Sequence, residues 1–428
     1  MSEKLTFDHL STAITSNDAA IRLTTRLQPA GGPGSKVFPP THSGGVYAWE
    51  MRRTGKDEVL PTILLDSVQS QANRMEQALK EAYPVDETSS PPKCRIPTLR
   101  VDFNKDFPDI GYITTLDAPH RIADAIFRDS QIDGKKFRES NVGQAFINST
   151  MRNATGLFQY CPHALVFGVW DSTGSAGGLG NKFQRALVSE IVGIGAVKGV
   201  RTSSRLDPVL RRNPEIYETE SGNWTSDPDR AGVKKEKDRP VKYGKLSELN
   251  LGNVTPDFVR YDPKGDRRPL RTMYEEIQLG DVLPGGVTIE YAIQTAVLSL
   301  PALRRLHFPI IGKESKETTE RNNAAHTVLA ALALAAIAHQ REQGYDLRSR
   351  CLLVPEGEIP LELVKNDGRV QMFSLKCSEA DTLLEQAIKE ATQGPVGLPW
   401  QEKVITLKPE DRLVALVRKS RETLGGQE

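Results

Sequence analysis

Residues 171–182 read DSTGSAGGLGNK, with Gly174, Gly177, Gly178 and Gly180 directly before Asn181 and Lys182. A glycine loop opening into a helix at Asn181 and Lys182 would turn bare N–H groups toward an anion, most often a phosphate. Neither nucleotide pattern fits. A Walker loop ends in Gly-Lys-Ser/Thr, whereas Lys182 stands between Asn181 and Phe183. In the dinucleotide pattern Phe183 takes the place of the third glycine. A phosphate loop of another class and a plain strand-to-helix turn both remain open.

Two further stretches carry groups suited to a polyanion. Ile21, Leu23, Thr25 and Leu27 alternate with Arg22, Thr24 and Arg26, so a strand is expected with one apolar and one basic face. It feeds a Gly/Pro loop, residues 28–45, that carries Gln28, Lys36 and His42. A helix expected from Pro61 to Tyr83 has a core stripe of Leu65, Val68, Ala72, Met75 and Leu79. Its other faces are rich in neutral donors and one cation, among them Gln69, Asn73 and Arg74. An ordinary solvated face would have the same residues; a fixed hydrogen-bonding partner is the sharper reading.

Composition bounds the class. The 428 residues are 38% hydrophobic and 26% charged, enough for a globular core in two or three domains. The net charge of +1 leaves no global basic signature, so any nucleic-acid surface must be local. Cys94, Cys161, Cys351 and Cys377 are scattered, which suits a reducing compartment. The start, MSEKLTFDHL, lacks a signal-peptide apolar run, and the stretch from Val328 to Ala338 falls short of the ~20 residues that span a bilayer. A cytoplasmic protein with no membrane partner is expected, with that stretch as a buried Ala-rich helix within 322–343.

The positioning elements follow. LRVDF and IGYITTL read as strands; residues 117–129 read as a helix capped by Asp117. ALVFGVW reads as a strand and the residues after Lys182 as an amphipathic helix. Residues 203–275 are rich in Pro, Gly and charge. Within them, 230–245 hold seven cations against Glu236 and Asp238, by default a solvated mobile loop and alternatively an arm on nucleic acid. GGVTIEYAIQTAVLSL returns to strand alternation. The segment after 355 reads as polar, then two helices near 380–391 and 409–423.

Catalytic signatures are missing. The seven histidines show no HxH, HExxH or HxxxH pair, and no nucleophile elbow stands out. Asp66, Asp102, Asp117 and Asp171 sit near strand or helix ends, where capping is the ordinary role and Mg²⁺ binding the catalytic one.

RLQPAGGPGSKVFPP (26–40), LLDSVQSQANRMEQAL (64–79), DAPHRI (117–122), CPHALVFGVWDSTGSAGGLGNKFQRALVSEIVG (161–193) and RTSSRLDP (201–208) together resemble the backbone subunit of the type I-G (formerly I-U) CRISPR-Cas Cascade surveillance complex. Similarity extends over 285–308. The resemblance implies an α+β fold: a modified RNA-recognition-motif, ferredoxin-like palm with a thumb-like β insertion and extra helices. The palm would occupy 1–202 and 285–354, the insertion 203–284, and a C-terminal helical packing element 355–428. It implies a non-catalytic, RAMP-type ribonucleoprotein subunit without cofactors, stacked head to tail in many copies along CRISPR RNA. The guide then pairs with target DNA. Its partners would be the large subunit, a Cas5/Cas6-type subunit and a recruited helicase-nuclease.

Holding any spacer sequence requires contact with phosphates and 2′-hydroxyls rather than bases. One groove is therefore expected. Arg22, Arg26, Gln28, Lys36 and His42 would line it from the strand and its loop. Gln69, Asn73 and Arg74 would come from the helix, and Gly178, Gly180, Asn181, Lys182 and Arg185 from the glycine loop. Arg201, Ser203 and Arg205 would join them. Two rival chemistries are a guide-dependent RNase using a loop Asp with Mg²⁺ and a phosphate-loop NTPase dependent on Lys182.

Overall fold

The computed structural model describes residues 3–43, 45–55, 57–84, 94–173, 182–258, 284–310, 315–394 and 397–425. The chain forms two compact units. Residues 1–33, 64–194 and 290–428 make the first, residues 34–63 and 195–289 the second.

The first unit is built on β1 (Ala20–Pro29), α1 (Val68–Ala82), β2 (Leu187–Ile194), β3 (Tyr291–Ser299) and α2 (Ser315–Gln343). A fourth strand position is filled in two pieces, β4 (Leu352–Pro355) and β5 (Leu361–Val364). β3 lies between β1 and β2, and β4 and β5 pair with the far edge of β1. Every one of these pairings is antiparallel. Chain order βαββαβ with the first and third strands adjacent at the centre is the split βαβ, ferredoxin-like arrangement of an α+β fold. Val370–Ser374 and then Glu3–Lys4 widen the sheet beyond β5.

Alternation builds the two faces. Ile21, Leu23, Thr25 and Leu27 are buried on β1, and Ala292, Gln294, Ala296 and Leu298 on β3. Helices cover this side. α2 is buried without interruption from Val328 to Ala338, as its alanine and leucine content predicts. A polar cluster crosses this otherwise apolar layer. Ser189 Oγ donates to Gln71 Oε1 at 2.9 Å, and Gln294 Nε2 donates to Gln71 Oε1 at 2.9 Å and to Gln340 Oε1 at 3.0 Å. Tyr345 OH donates to Gln294 Oε1 at 2.9 Å. Each link costs little only if α1, α2, β2 and β3 keep this alignment, so the cluster pins their register.

A second sheet orders Tyr112–Thr114, Leu99–Asp102, Ile405–Pro409, Ser130–Ile132 and Lys135–Lys136. The described residues of the second unit include several two-stranded ribbons. They include Val197–Val200 with Pro284–Thr288, Thr202–Arg205 with Val254–Phe258, and Lys235–Glu236 with Arg239–Pro240.

Several local expectations change. Val59–Asp66 is a strand, so the expected helix begins only at Val68, with Ser67 as cap. Asp117 accepts from Thr114 instead of capping a helix; Asp124 caps the short helix Ala125–Arg128. His163–Phe167 is helical, and the stretch after Lys182, expected as a helix, is strand β2. The segment after 355 has its two helices, Cys377–Gln393 and Asp411–Gly425, but also supplies strands to both sheets. The basic run 230–245 includes a hairpin; Lys234 pairs with Glu218 at 3.1 Å and Lys242 pairs with Glu215.

Candidate nucleic-acid interface

Arg22, Arg26 and Gln28 project from the sheet face that the helices leave open, as the alternation predicts. The face is not basic. Arg22 is ion-paired with Glu362 and Arg26 with Glu356. The Arg26 guanidinium lies 3.6 Å from the Tyr291 ring centroid, a stacked cation–π contact. Gln28 Nε2 donates to Glu290 O at 2.9 Å and to Glu356 Oε1 at 2.6 Å. Two acids contributed by the chain beyond residue 355 thus cancel the two arginines. Val188, Val354 and Met372 are exposed on their strands.

On α1, Asp66 immediately precedes the capping Ser67 and is fully buried. It accepts from Ser70 Oγ at 2.7 Å, Gln71 Nε2 at 2.6 Å and Arg74 Nε at 2.9 Å, and Arg348 approaches at 3.3 Å. Arg74 also donates to the carbonyls of Asp346 and Leu347, so its fork is spent inside the protein. Gln69 and Asn73 are exposed. Each is two residues from Gln71, whose side chain meets the sheet, and 3.6 residues per turn puts them on the outer side of the helix. The structure therefore places Gln69 and Asn73 on the opposite surface of this unit from Arg22 and Arg26.

Gly178, Gly180 and Asn181 lie outside the described residues. Lys182 does not open a helix: Lys182–Phe183 pairs antiparallel with Val169–Trp170, Lys182 opposite Trp170 and Phe183 opposite Val169. The Lys182 ammonium is 5.7 Å from the Trp170 ring centroid. Arg185 is exposed overall, and its stem lies against Gly168. A Cβ there would come within 3.0 Å of Arg185 Cγ, and Gly168 has φ 83°, so glycine is required twice over.

Two buried or half-buried arginines hold this ribbon from below. Arg121 donates from Nε and Nη2 to the two Glu76 oxygens at 2.6 and 2.7 Å, and from Nη1 to Gly168 O at 2.8 Å. Burial pushes the Glu76 carboxyl up to about 7 against the pull of Arg121. Arg138 Nη2 reaches both Asp171 oxygens at 2.9 Å, and its Nη1 donates to Thr173 O at 2.9 Å. Sequence reasoning missed Arg138, Glu76 and Trp170. Only Trp170 had a readable signal, a tryptophan immediately before the Asp-Ser-Thr-Gly of the loop.

In the second unit, Lys36 is exposed with its stem across Gly199, where a Cβ would meet Lys36 Cε at 3.0 Å. His42 is exposed, and its backbone N–H donates to Val46 O at 2.8 Å. Arg201 and Ser203 are exposed at the Thr202–Arg205 ribbon. Arg205 pairs with buried Asp207 at 3.2 Å.

The aspartates weighed for metal chemistry have protein partners. Asp66 and Asp171 are engaged as above, Asp117 pairs with Lys80 at 2.7 Å, and Asp102 accepts from Asn104 at 2.7 Å. Among the described residues no group of three or more His, Cys, Asp or Glu side chains is placed to hold a metal ion. Among them, too, no helix is long and apolar enough to cross a membrane.

No curated protein matches the chain. Residues 21–198, the stretch from β1 to just beyond β2, match the model of the family described as CRISPR-associated protein GSU0053 (Cas_GSU0053). That match relates the chain to a CRISPR-associated protein family, and so to a role in CRISPR-Cas defence beside other components of that system.

Proposed function

We propose that this chain is a non-catalytic backbone subunit that holds CRISPR RNA by its sugar-phosphate chain. Multiple copies stack head to tail along the guide in a type I-G surveillance complex. The observation that carries the reading is the CRISPR-associated family match over β1, α1 and β2, the first half of the split βαβ core. The cations left at the surface agree with it. Lys36, Lys182, Arg185 and Arg201 are exposed, whereas Arg22, Arg26, Arg74 and Arg205 are spent on internal partners. Residues 195–289 lie in sequence between β2 and β3, and the two-stranded ribbons among their described residues support reading them as the thumb-like insertion. A net charge of +1 lets copies stack without strong mutual repulsion. Sequence reading is left to base pairing between guide and target DNA, with the other Cascade subunits and a helicase-nuclease completing the system.

The test is the RNA that copurifies when the chain is expressed with a CRISPR array. Guides of uniform length with a constant repeat handle and any spacer are expected. Copurifying RNA of random origin, or none, would overturn the reading. So would regular cleavage of a complementary RNA in Mg²⁺ that is lost on an Asp→Ala change.

A further inference from the structure

We infer that Trp170 and Lys182 form a platform on which one base of a single-stranded RNA stacks while its phosphate meets the ammonium; the inference rests on the RNA-holding reading above. The ribbon has two unlike sides. Directly opposed residues of an antiparallel pair point the same way. Val169 and Phe183 face inward, at 6% and 4% exposure, and Trp170 and Lys182 face out. The dry side already anchors the ribbon, yet the indole on the wet side is 51% exposed. Core packing does not call for an aromatic of this size there, because burial is its main contribution to stability.

The platform is also held in place. Gly168, two residues before Trp170, is fixed by Arg121, and Asp171, the residue after it, by Arg138. A stacking surface with little freedom to lose binds with less entropic cost. Charge selects the occupant. Arg121 and the more distant Arg185 offset Glu76 and Arg138 offsets Asp171, while Lys182, beside the indole, enters no ion pair among the described residues. The surroundings of the indole therefore carry a surplus of positive charge. A nucleotide offers a flat π face for the ring and an anionic link for Lys182. An apolar peptide would cover the ring but strand the ammonium. Every base has a π face, so the contact tolerates any sequence.

The test is binding of labelled oligo(A) and oligo(U) by the full chain at several salt concentrations. Trp170→Ala is expected to weaken both about ten-fold, within the range of one base–aromatic stack, without changing the salt slope. Trp170→Phe is expected to keep most of the affinity. Lys182→Ala is expected to lower the salt slope by roughly one. Should Trp170→Ala fold poorly, the fluorescence lost on titrating RNA into the wild type is compared with that in Trp170→Phe; greater quenching in the wild type supports the stack. A folded Trp170→Ala chain that binds both RNAs like the wild type, or equal quenching, overturns the inference and leaves the indole as a ribbon stabiliser. A wild-type chain that binds no RNA overturns the RNA-holding reading itself.

Discussion

Replacing Arg121 by Met removes the ion-pair partner of buried Glu76 and leaves only the weaker pull of Arg185 among the described cations acting on it. Side-chain exposure is 7% for the arginine and 2% for the glutamate, so water cannot replace the lost partner. Breaking such a pair costs about 3–5 kcal/mol, because the survivor's charge stays buried. The carboxyl can escape by taking a proton, and this makes the cost depend on pH. In the native chain burial already raises Glu76 from 4.5 to about 7. Arg121 opposes that rise, so without it the value climbs further. A raised carboxyl binds a proton in the folded state that the unfolded state has released. Its contribution is complete below about pH 4.5 and fades as pH rises through the folded value, by about 1.4 kcal/mol per unit. In the native chain this fading ends near pH 7, and in Arg121→Met it continues above. The stability gap should therefore be level below pH 7 and widen above it. Urea unfolding at pH 6, 7, 8 and 9 (buffer settings of about these values), followed by far-UV circular dichroism, measures it. Glu76→Leu combined with Arg121→Met should recover part of the loss, since no buried charge then remains. A gap under about 1 kcal/mol, or one flat with pH and not recovered by the double change, would refute the reasoning.

Acid should destabilise the native chain through buried histidines. Burial lowers His163 to about 3 and His326 to about 4, so between about pH 4.5 and 6.5 each takes up a proton only on unfolding. Glu76 opposes them with one proton, leaving a net loss of about 1.4 kcal/mol per pH unit on acidification, which His326→Gln should roughly cancel in urea titrations. Asp66→Asn leaves Arg74 and Arg348 without their carboxylate and should cost about 3 kcal/mol, read as a lower urea midpoint. Gly168→Ala forces a left-handed residue against Arg185 and should cost at least about 1 kcal/mol, with weaker RNA binding if the ribbon tilts. Arg201→Ala and Lys36→Ala should each lower the salt slope of RNA binding by roughly one, whatever the spacer.

The sequence alone determined the elements whose period is their own signature. β1 and β3 alternate along nine or ten residues, and α1 and α2 carry apolar stripes or continuous alanine burial long enough to admit no other period. It also carried segments within 21–198, the stretch that matches the CRISPR-associated family model. It failed at β2. Residues 187–194, LVSEIVGI, satisfy a helical and a strand pattern equally over so short a span, and eight consecutive pairings with β3 decide the matter. It failed again on charge. Arg22 looked basic because Glu362 is 340 positions away along the chain, and chain folding alone brings them together. The same holds for Arg26 with Glu356, and for Arg74, whose fork also reaches the carbonyls of Asp346 and Leu347. Local periodicity reports which side of an element is dry, because that depends on the backbone geometry of a few neighbours. Which charges stay available to a ligand depends on partners contributed by distant segments, and only the tertiary structure assigns those.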